Sequence, residues 1–498
     1  MSDDRAKLHL NDEFQEWLKD QRFPDPDETG STAGGKRGEP SIEDIRFDVT
    51  PEELIRYLKR FIVGQDHAIQ VVATKICTHF HRMKLERTKT DLPRIVGHVK
   101  SNVLLIGPTG VGKTYLIRLI ANKLNVPFVK GDATKFSETG YVGGDVEDLI
   151  REMVHQVDGN IKLAEYGIVY IDEIDKIASS RHWFGPDVSR SGVQRNLLKL
   201  MEETEVDMKV PHDLASQMEA MMETQRTGKA VRKKVNTRNI LFVMSGSFTE
   251  LPEIIAKRLK KGGMGFTGET ITSNADIEYL ITKLQPQDLI EYGFESEFVG
   301  RIPVVTYLNE LTEDALFGIL SNPSSAVIQS KKRDFAAYGI DLQFETDAMH
   351  YIAREAYTHR TGARGLVTVV ERVLLPFERS LPSTGVDRLV ITEKICRDPE
   401  RYLEQIIKDK AFEIVMKSFA AETGIELEFS PGARRAALSI AAEKGMEVRE
   451  FLEQALKDYG YGLKLVGKEK FTVTRTVLAD PIKYLNNLVK KSYHSSPN

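Results

Sequence analysis

Residues 107–114 read GPTGVGKT, directly after the apolar run NVLLI and directly before YLIRLIANKL. No other stretch constrains the fold as tightly, because a G-x-x-x-x-G-K-[ST] loop works only between a buried strand and the N-terminus of a helix. Gly107, Gly110 and Gly112 let the backbone close around phosphate oxygens, with Pro108, Thr109 and Val111 completing the turn. Successive N–H groups and the helix N-terminus then face negative charge. Lys113 adds a cation beside the β- and γ-phosphates, and Thr114 offers a hydroxyl to Mg²⁺.

Two more apolar runs extend this unit. SNVLLIG (101–107), GIVYIDE (167–173) and NILFVMSG (239–246) are nearly continuous in apolar residues and separated by helical patterning, as strands of a parallel sheet covered on both faces should be. An α/β core is predicted. The second run ends in Asp172 and Glu173, at the carboxyl edge where such sheets bind ligands. Asp172 suits the water shell of a metal, and Glu173 suits polarisation of an attacking water. A chain that only bound nucleotide would have no need of Glu173.

At 498 residues the chain is too long for one ordinary core. Lys and Arg number 69 against 73 Asp and Glu, so no global basic field argues for nucleic acid, and the short basic runs KRLKKGG and VRKKV read as solvated faces. Cys77 and Cys396 are the two cysteines, which leaves neither a disulfide framework nor a cysteine zinc site. The acidic N-terminus has no apolar signal core and no stretch approaches a membrane span, so a cytoplasmic protein is expected. His79 and His81, two apart on a helical stretch, point to different faces and read as solvated rather than as a metal pair.

Residues 1–48 are expected to form a flexible arm, since DPDETGSTAGGKRGEP (25–40) buries too little to order itself. Within the arm, Phe14, Trp17 and Leu18 give one apolar face to a short helix with Asn11 as its cap. Thr50 as N-cap and Pro51 at the first helical position open the folded body, and Gly64 breaks the helical run that follows. After about residue 310 the chain turns mainly helical and repeats itself. FAAYGIDLQF (335–344) returns as FAAETGIELEF (419–429), and DPERYLEQII (398–407) as DPIKYLNNLV (480–489), which predicts duplication of a whole unit.

Taken in order, FIVGQDHA (61–68), GPTGVGKT, DATKFSETGYVGGDVEDLI (132–150), GIVYIDEIDKI (167–177), DVSRSGVQRNLLKLME (187–202), FESEFVGRIPVV (294–305) and TGARGL (361–366) resemble the AAA+ ATPases of the ClpX type, with HslU as a sister group. The resemblance runs from about residue 50 to 375. It implies a large α/β ATPase domain over 49–310 and an α-rich small domain over 311–410, while the internal repeat makes 411–498 a diverged copy of that small domain, a unit without a known counterpart in the family. It implies ATP and Mg²⁺ as cofactors, a homo-hexamer that threads polypeptide substrates, and Tyr141 and Val142 of the GYVG loop as the pore residues that grip them. It also implies that Arg301 is an arginine finger for the neighbouring subunit and Arg364 a sensor of nucleotide. Ile62 and Val63 fit an apolar wall for adenine, although an ordinary core contact reads identically. Ser245 falls where a polar side chain could orient water.

The chain departs from that family in four places. Its cysteines do not supply the four-cysteine zinc module. The stretch 212–234 keeps only RKK of a basic pore-entrance loop and is otherwise Met-rich, suggesting an added helix. Met264, Gly265 and Phe266 stand where the family has an aliphatic-Gly-Phe tripeptide that docks a ClpP-like peptidase; a glycine-rich turn with one phenylalanine is the alternative. The second small-domain copy has EKGMEVREFL where the first has RTGARGL, so it lacks the sensor arginine.

Overall fold

The apolar runs become the middle of a five-stranded parallel sheet. Its strands are β1 (Val103–Ile106), β2 (Phe128–Asp132), β3 (Ile168–Asp172), β6 (Leu241–Gly246) and β7 (Val304–Tyr307), ordered β2-β3-β6-β1-β7. Between β3 and β6 in sequence, β4 (Glu205–Asp207) and β5 (Lys234–Asn236) form a separate antiparallel ribbon. The computed structural model describes residues 41–88, 100–137, 144–178, 188–208, 233–262 and 274–495. β1 and β6 are buried at every position, because helices cover both faces of the sheet centre. β2 and β7 lie at the edges and alternate buried with half-buried or exposed residues, which explains why continuous apolar runs pointed to three strands and not to these two.

Thr50 caps the helix Pro51–Leu58 by accepting a hydrogen bond from the Glu53 N–H, with Pro51 at the first helical position. Gly64 adopts a left-handed φ of 75° before the long helix Asp66–Thr88 begins. Two expectations need correction here. The arm does not extend to residue 48, since Ile45, Phe47 and Val49 are buried and the Arg46 N–H donates to the Leu124 carbonyl at 2.8 Å. Nor is His79 solvated: it is 1 % exposed, its Nε2 lies 3.0 Å from the Asn239 carbonyl, and an Arg82 N–H reaches its Nδ1 at 3.3 Å. His81 bonds the Val49 carbonyl through Nε2, so both rings anchor neighbouring segments.

Beyond the sheet, two element series follow the same plan. In the first, a helix Ala326–Ala337 leads to β8 (Asp341–Phe344), then helices Thr346–Thr358 and Ala363–Ser380, then β9 (Arg388–Ile391), paired parallel with β8. In the second, the end of helix Pro399–Thr423 leads to β10 (Glu426–Phe429), then helices Pro431–Lys444, Val448–Leu456 and Tyr459–Leu465, then β11 (Lys470–Val473), paired parallel with β10. The repeated DP phrases are helix starts. Asp398 accepts from the Arg401 N–H, and Asp480 accepts from the Lys483 N–H, each followed by proline at the first helical position.

The helix Pro399–Thr423 belongs to both series. Its Leu403 joins the core that runs on from the sheet, whereas Phe412, Val415 and Phe419 join a separate core reaching Leu478. A boundary at 410/411 therefore falls inside one continuous helix. Side-chain character differs at matched surface positions. Arg379 and Glu400 form an exposed ion pair at 3.7 Å in the first series; their counterparts Tyr461 and Ile482 are 76 % and 71 % exposed. Among the described residues, no helix is long and apolar enough to cross a membrane.

Candidate active site

At the carboxyl edge of the sheet lies a cleft of about 490 Å³. One end is apolar and built from Ile62, Val63, Ile319 and Val327; the other carries the loop residues Thr109 to Thr114 with Asp172, Glu173 and Arg364. The helix Lys113–Leu124 starts behind Gly112, which has a left-handed φ of 97° and supplies no side-chain cap, leaving the first-turn N–H groups available to a ligand. A Cβ at Gly112 would meet nothing within 4 Å, so that glycine serves conformation and access. Gly110 has a different reason. A Cβ there would lie 2.0 Å from the Thr361 carbonyl oxygen, and the Ala363 N–H donates to the Gly110 carbonyl at 2.9 Å. This close backbone approach brings the helix carrying Arg364 onto the phosphate loop.

Lys113 donates to the Gly107 and Pro108 carbonyls at 2.6 and 2.7 Å. Burial pushes its ammonium down to about 8, against the opposing pull of Asp172 and Asp175. A partly buried cation held by neutral carbonyls fits an anionic ligand, and bipolar lining fits a base at one end and phosphates at the other. The donor set fits a nucleotide with Mg²⁺. Phosphate binding favours the charged amine, so the bound-state value must lie above 8 and binding must be coupled to proton uptake above that pH. Nucleotide affinity is therefore expected to be level up to about pH 8 and then to fall by up to about tenfold per pH unit. Titration calorimetry at pH 9 in two buffers of different ionisation enthalpy checks this; equal heats in both would show that Lys113 does not change charge.

A closed set of hydroxyl and carboxylate contacts fixes Asp172. Thr114 Oγ1 lies 3.0 Å from the Tyr170 hydroxyl and 3.4 Å from Asp172 Oδ2. The Tyr170 hydroxyl lies 2.6 Å from Ser245 Oγ, which donates to Asp172 Oδ1 at 2.7 Å. Lys130, from edge strand β2, meets Asp172 Oδ2 at 2.9 Å. Burial alone would raise the Asp172 carboxyl, but the hydrogen bonds from Lys130 and Ser245 prevail and hold it below the ordinary carboxylate value. Thr114 and Asp172 are thus together, as a metal with its water shell requires.

The structure places the remaining residues as follows. Glu173 is exposed to the cleft and sits at a left-handed φ of 56°, a conformation that costs a non-glycine residue about 1 kcal/mol or more. Ser245 is fully buried behind Asp172 and does not line the cleft; Ser247, one turn of the strand end further on, does, and it is bonded to buried Asp175. Arg301 is absent from the cleft lining and pairs with Glu202 at 2.6 Å. Tyr141, Val142, Met264, Gly265 and Phe266 lie outside the described residues, as does 212–232. The residues that flank this stretch, Ser137 and Gly144, are described. The Ser137 N–H donates to the Gly144 carbonyl at 3.3 Å and the Gly144 N–H to the Lys135 carbonyl at 3.1 Å, just past the carboxyl end of β2.

Sequence reasoning missed Lys130, Tyr170, Ile319 and Val327. Tyr170 stands two residues before Asp172 on one strand and so shares its side of the sheet, a signal that alternation could have given. Lys130 is aligned beside Tyr170 only once β2 pairs with β3, and nothing local announces that pairing.

Comparison with known proteins agrees with this geometry. Residues 98–305 match the family model described as AAA domain (Cdc48 subfamily), and residues 311–377 match the C-terminal, D2-small domain, of ClpB protein. The chain is 37% identical over 350 residues to the ATP-dependent Clp protease ATP-binding subunit ClpX of Treponema denticola, covering 70% of this chain and 81% of that protein.

Proposed function

The chain belongs to the ClpX-type AAA+ ATPases, and from that membership we propose that it is a protein unfoldase whose hydrolysis of ATP threads polypeptides through the pore of a hexameric ring. One observation carries the reading: a single cleft gathers Lys113, Thr114, Asp172, Glu173 and Arg364, while Arg301 is not among its lining and pairs with Glu202, which leaves it for a neighbour's site.

Bound ATP with Mg²⁺ supplies the phosphoanhydride bond to be cleaved and the charge neutralisation at its oxygens. Lys113 and the first-turn N–H groups hold phosphate charge, and Thr114 with Asp172 would hold the metal's water shell. Glu173 polarises the attacking water, and Arg301 of a neighbouring subunit stabilises charge developing on the transferred group. Arg364 reports nucleotide to the helical region through the Gly110 contact. Tyr141 and Val142 fall in sequence between Ser137 and Gly144, which are hydrogen-bonded just past β2, and Lys130 of β2 touches Asp172, so a change at the nucleotide site has a short route to the segment that brackets them.

A ring requires assembly. Sedimentation velocity with and without ATP, using Glu173→Gln to prevent turnover, is expected to show a nucleotide-stabilised hexamer; a monomer at every nucleotide concentration would remove the basis for Arg301 acting between subunits. Docking of a ClpP-like peptidase through Met264, Gly265 and Phe266 belongs to the same proposal. The alternative is a remodeller or ATPase scaffold that holds partners through its second small-domain copy. The exposed Tyr461, Leu465 and Ile482 of that copy favour it, with Tyr461 and Ile482 standing where the first copy has the Arg379–Glu400 ion pair.

A further inference from the structure

The Asp172 carboxylate divides its work between its two oxygens. Oδ1 accepts from Ser245 Oγ at 2.7 Å and from the Glu173 N–H at 3.2 Å, both of which fix the group from behind. Oδ2 faces Thr114 Oγ1 at 3.4 Å, and this same oxygen accepts from Lys130 Nζ at 2.9 Å. The ammonium therefore sits on the carboxylate oxygen turned toward the metal side of the cleft. Lys130 stands on β2 in register with Tyr170, whose hydroxyl joins Thr114 to Ser245, so the strand pairing itself delivers the cation there. Its side chain is 39 % exposed, which leaves it room to swing away.

We propose that Lys130 is a built-in counter-ion that holds Asp172 when no metal is present and competes with a Mg²⁺-bound water for the same oxygen. It thereby sets the Mg²⁺ concentration at which the nucleotide site fills. This rests on the reading of Thr114 and Asp172 as the metal side of a nucleotide site. Two like-signed ions cannot both stay close to one carboxylate oxygen without mutual repulsion. At a half-exposed position, solvent and salt reduce that repulsion without abolishing it. Lys130 acts through Asp172 and touches no reacting atom in this account, so it is a positioning residue.

The test uses the full chain and a fluorescent ADP analogue, so that hydrolysis plays no part. Mg²⁺ is titrated from an EDTA-treated start at fixed ionic strength, and the midpoint of the rise in nucleotide affinity is read for wild type, Lys130→Met and Lys130→Arg. Lys130→Met, which keeps the stem and removes the charge, is expected to lower the Mg²⁺ midpoint by about three- to tenfold. Lys130→Arg is expected to stay within about twofold of wild type. A Lys130→Met midpoint equal to wild type overturns the proposal, and so does a Lys130→Arg midpoint that moves as far as that of Lys130→Met. Failure of the wild type to bind the analogue at saturating Mg²⁺ would overturn the nucleotide reading itself and this inference with it, an outcome distinct from normal binding with an unmoved midpoint. A circular dichroism melt of each variant separates loss of fold from loss of the counter-ion.

Discussion

Glu173→Gln is expected to bind ATP with affinity close to wild type and to hydrolyse it about 10²- to 10⁴-fold more slowly, the range lost when a positioned proton acceptor is removed. The residue is exposed to the cleft and belongs to neither the phosphate loop nor the apolar wall, so binding should survive. Gln matches Glu in shape, so the left-handed turn at this position is preserved and the fold should not respond. Single-turnover hydrolysis alongside direct nucleotide binding separates the two steps. Hydrolysis at the wild-type rate would remove Glu173 from the chemistry and leave the acidic strand end with a structural role only.

Arg301 offers the second large effect and the sharper test of assembly. Within one chain its guanidinium is held by Glu202, whose backbone carbonyl in turn accepts from Lys100 Nζ at 3.2 Å and from Thr237 Oγ1 at 2.9 Å. If Arg301 completes a neighbour's site, Arg301→Ala should lower turnover by about 10³-fold or more while leaving nucleotide affinity largely intact. The decisive arm mixes two inactive proteins. In a mixed ring, an Arg301→Ala subunit keeps its own Glu173 and can receive Arg301 from a Glu173→Gln neighbour, so part of the activity should return on mixing. No recovery over any mixing ratio, with mixed assembly verified, would place Arg301 in its own subunit's structure and leave each site complete within one chain.

Much of this site was legible because its chemistry is local in sequence. GPTGVGKT sits between strand and helix because glycines, lysine and threonine must be contiguous to do their work, and IVYI followed by Asp172 and Glu173 is contiguous for the same reason. The repeated Asp-Pro phrases were legible as a duplication because each is a helix start, and caps are read from neighbouring residues. Lys130 was not legible, since its meaning depends on β2 lying beside β3, and a five-residue edge strand of mixed polarity carries little signal. Ser245 was expected to orient water, but β6 buries it and turns it toward Asp172, which only the sheet register reveals. His79 failed as a prediction because helical spacing says which residues share a face and not whether a neighbouring carbonyl covers that face. Gly110 was read as a phosphate-loop residue; its contact with the Thr361 carbonyl lies some 250 residues away in sequence and cannot be inferred from the motif.

The duplicated helical series separates the proposed unfoldase from its alternative. Its core is separate from that of the sheet, and it carries EKGMEVREFL where the first series has RTGARGL, the stretch proposed to read nucleotide. A copy released from reading nucleotide can brace a ring or carry a partner, and either use is compatible with an active ATPase.

In the proposed mechanism, hydrolysis drives polypeptide through a pore gripped by Tyr141. The most direct measurement is ATP-dependent loss of fluorescence from a stably folded fluorescent protein bearing a panel of terminal peptides. Wild type and Tyr141→Ala are compared, each with its ATPase rate recorded in the same sample. Fluorescence loss is expected with wild type on at least one tag, and is expected to drop by tenfold or more with Tyr141→Ala while hydrolysis continues. Sustained hydrolysis by wild type with no loss of folded substrate on any tag, or equal unfolding by Tyr141→Ala, would contradict that mechanism.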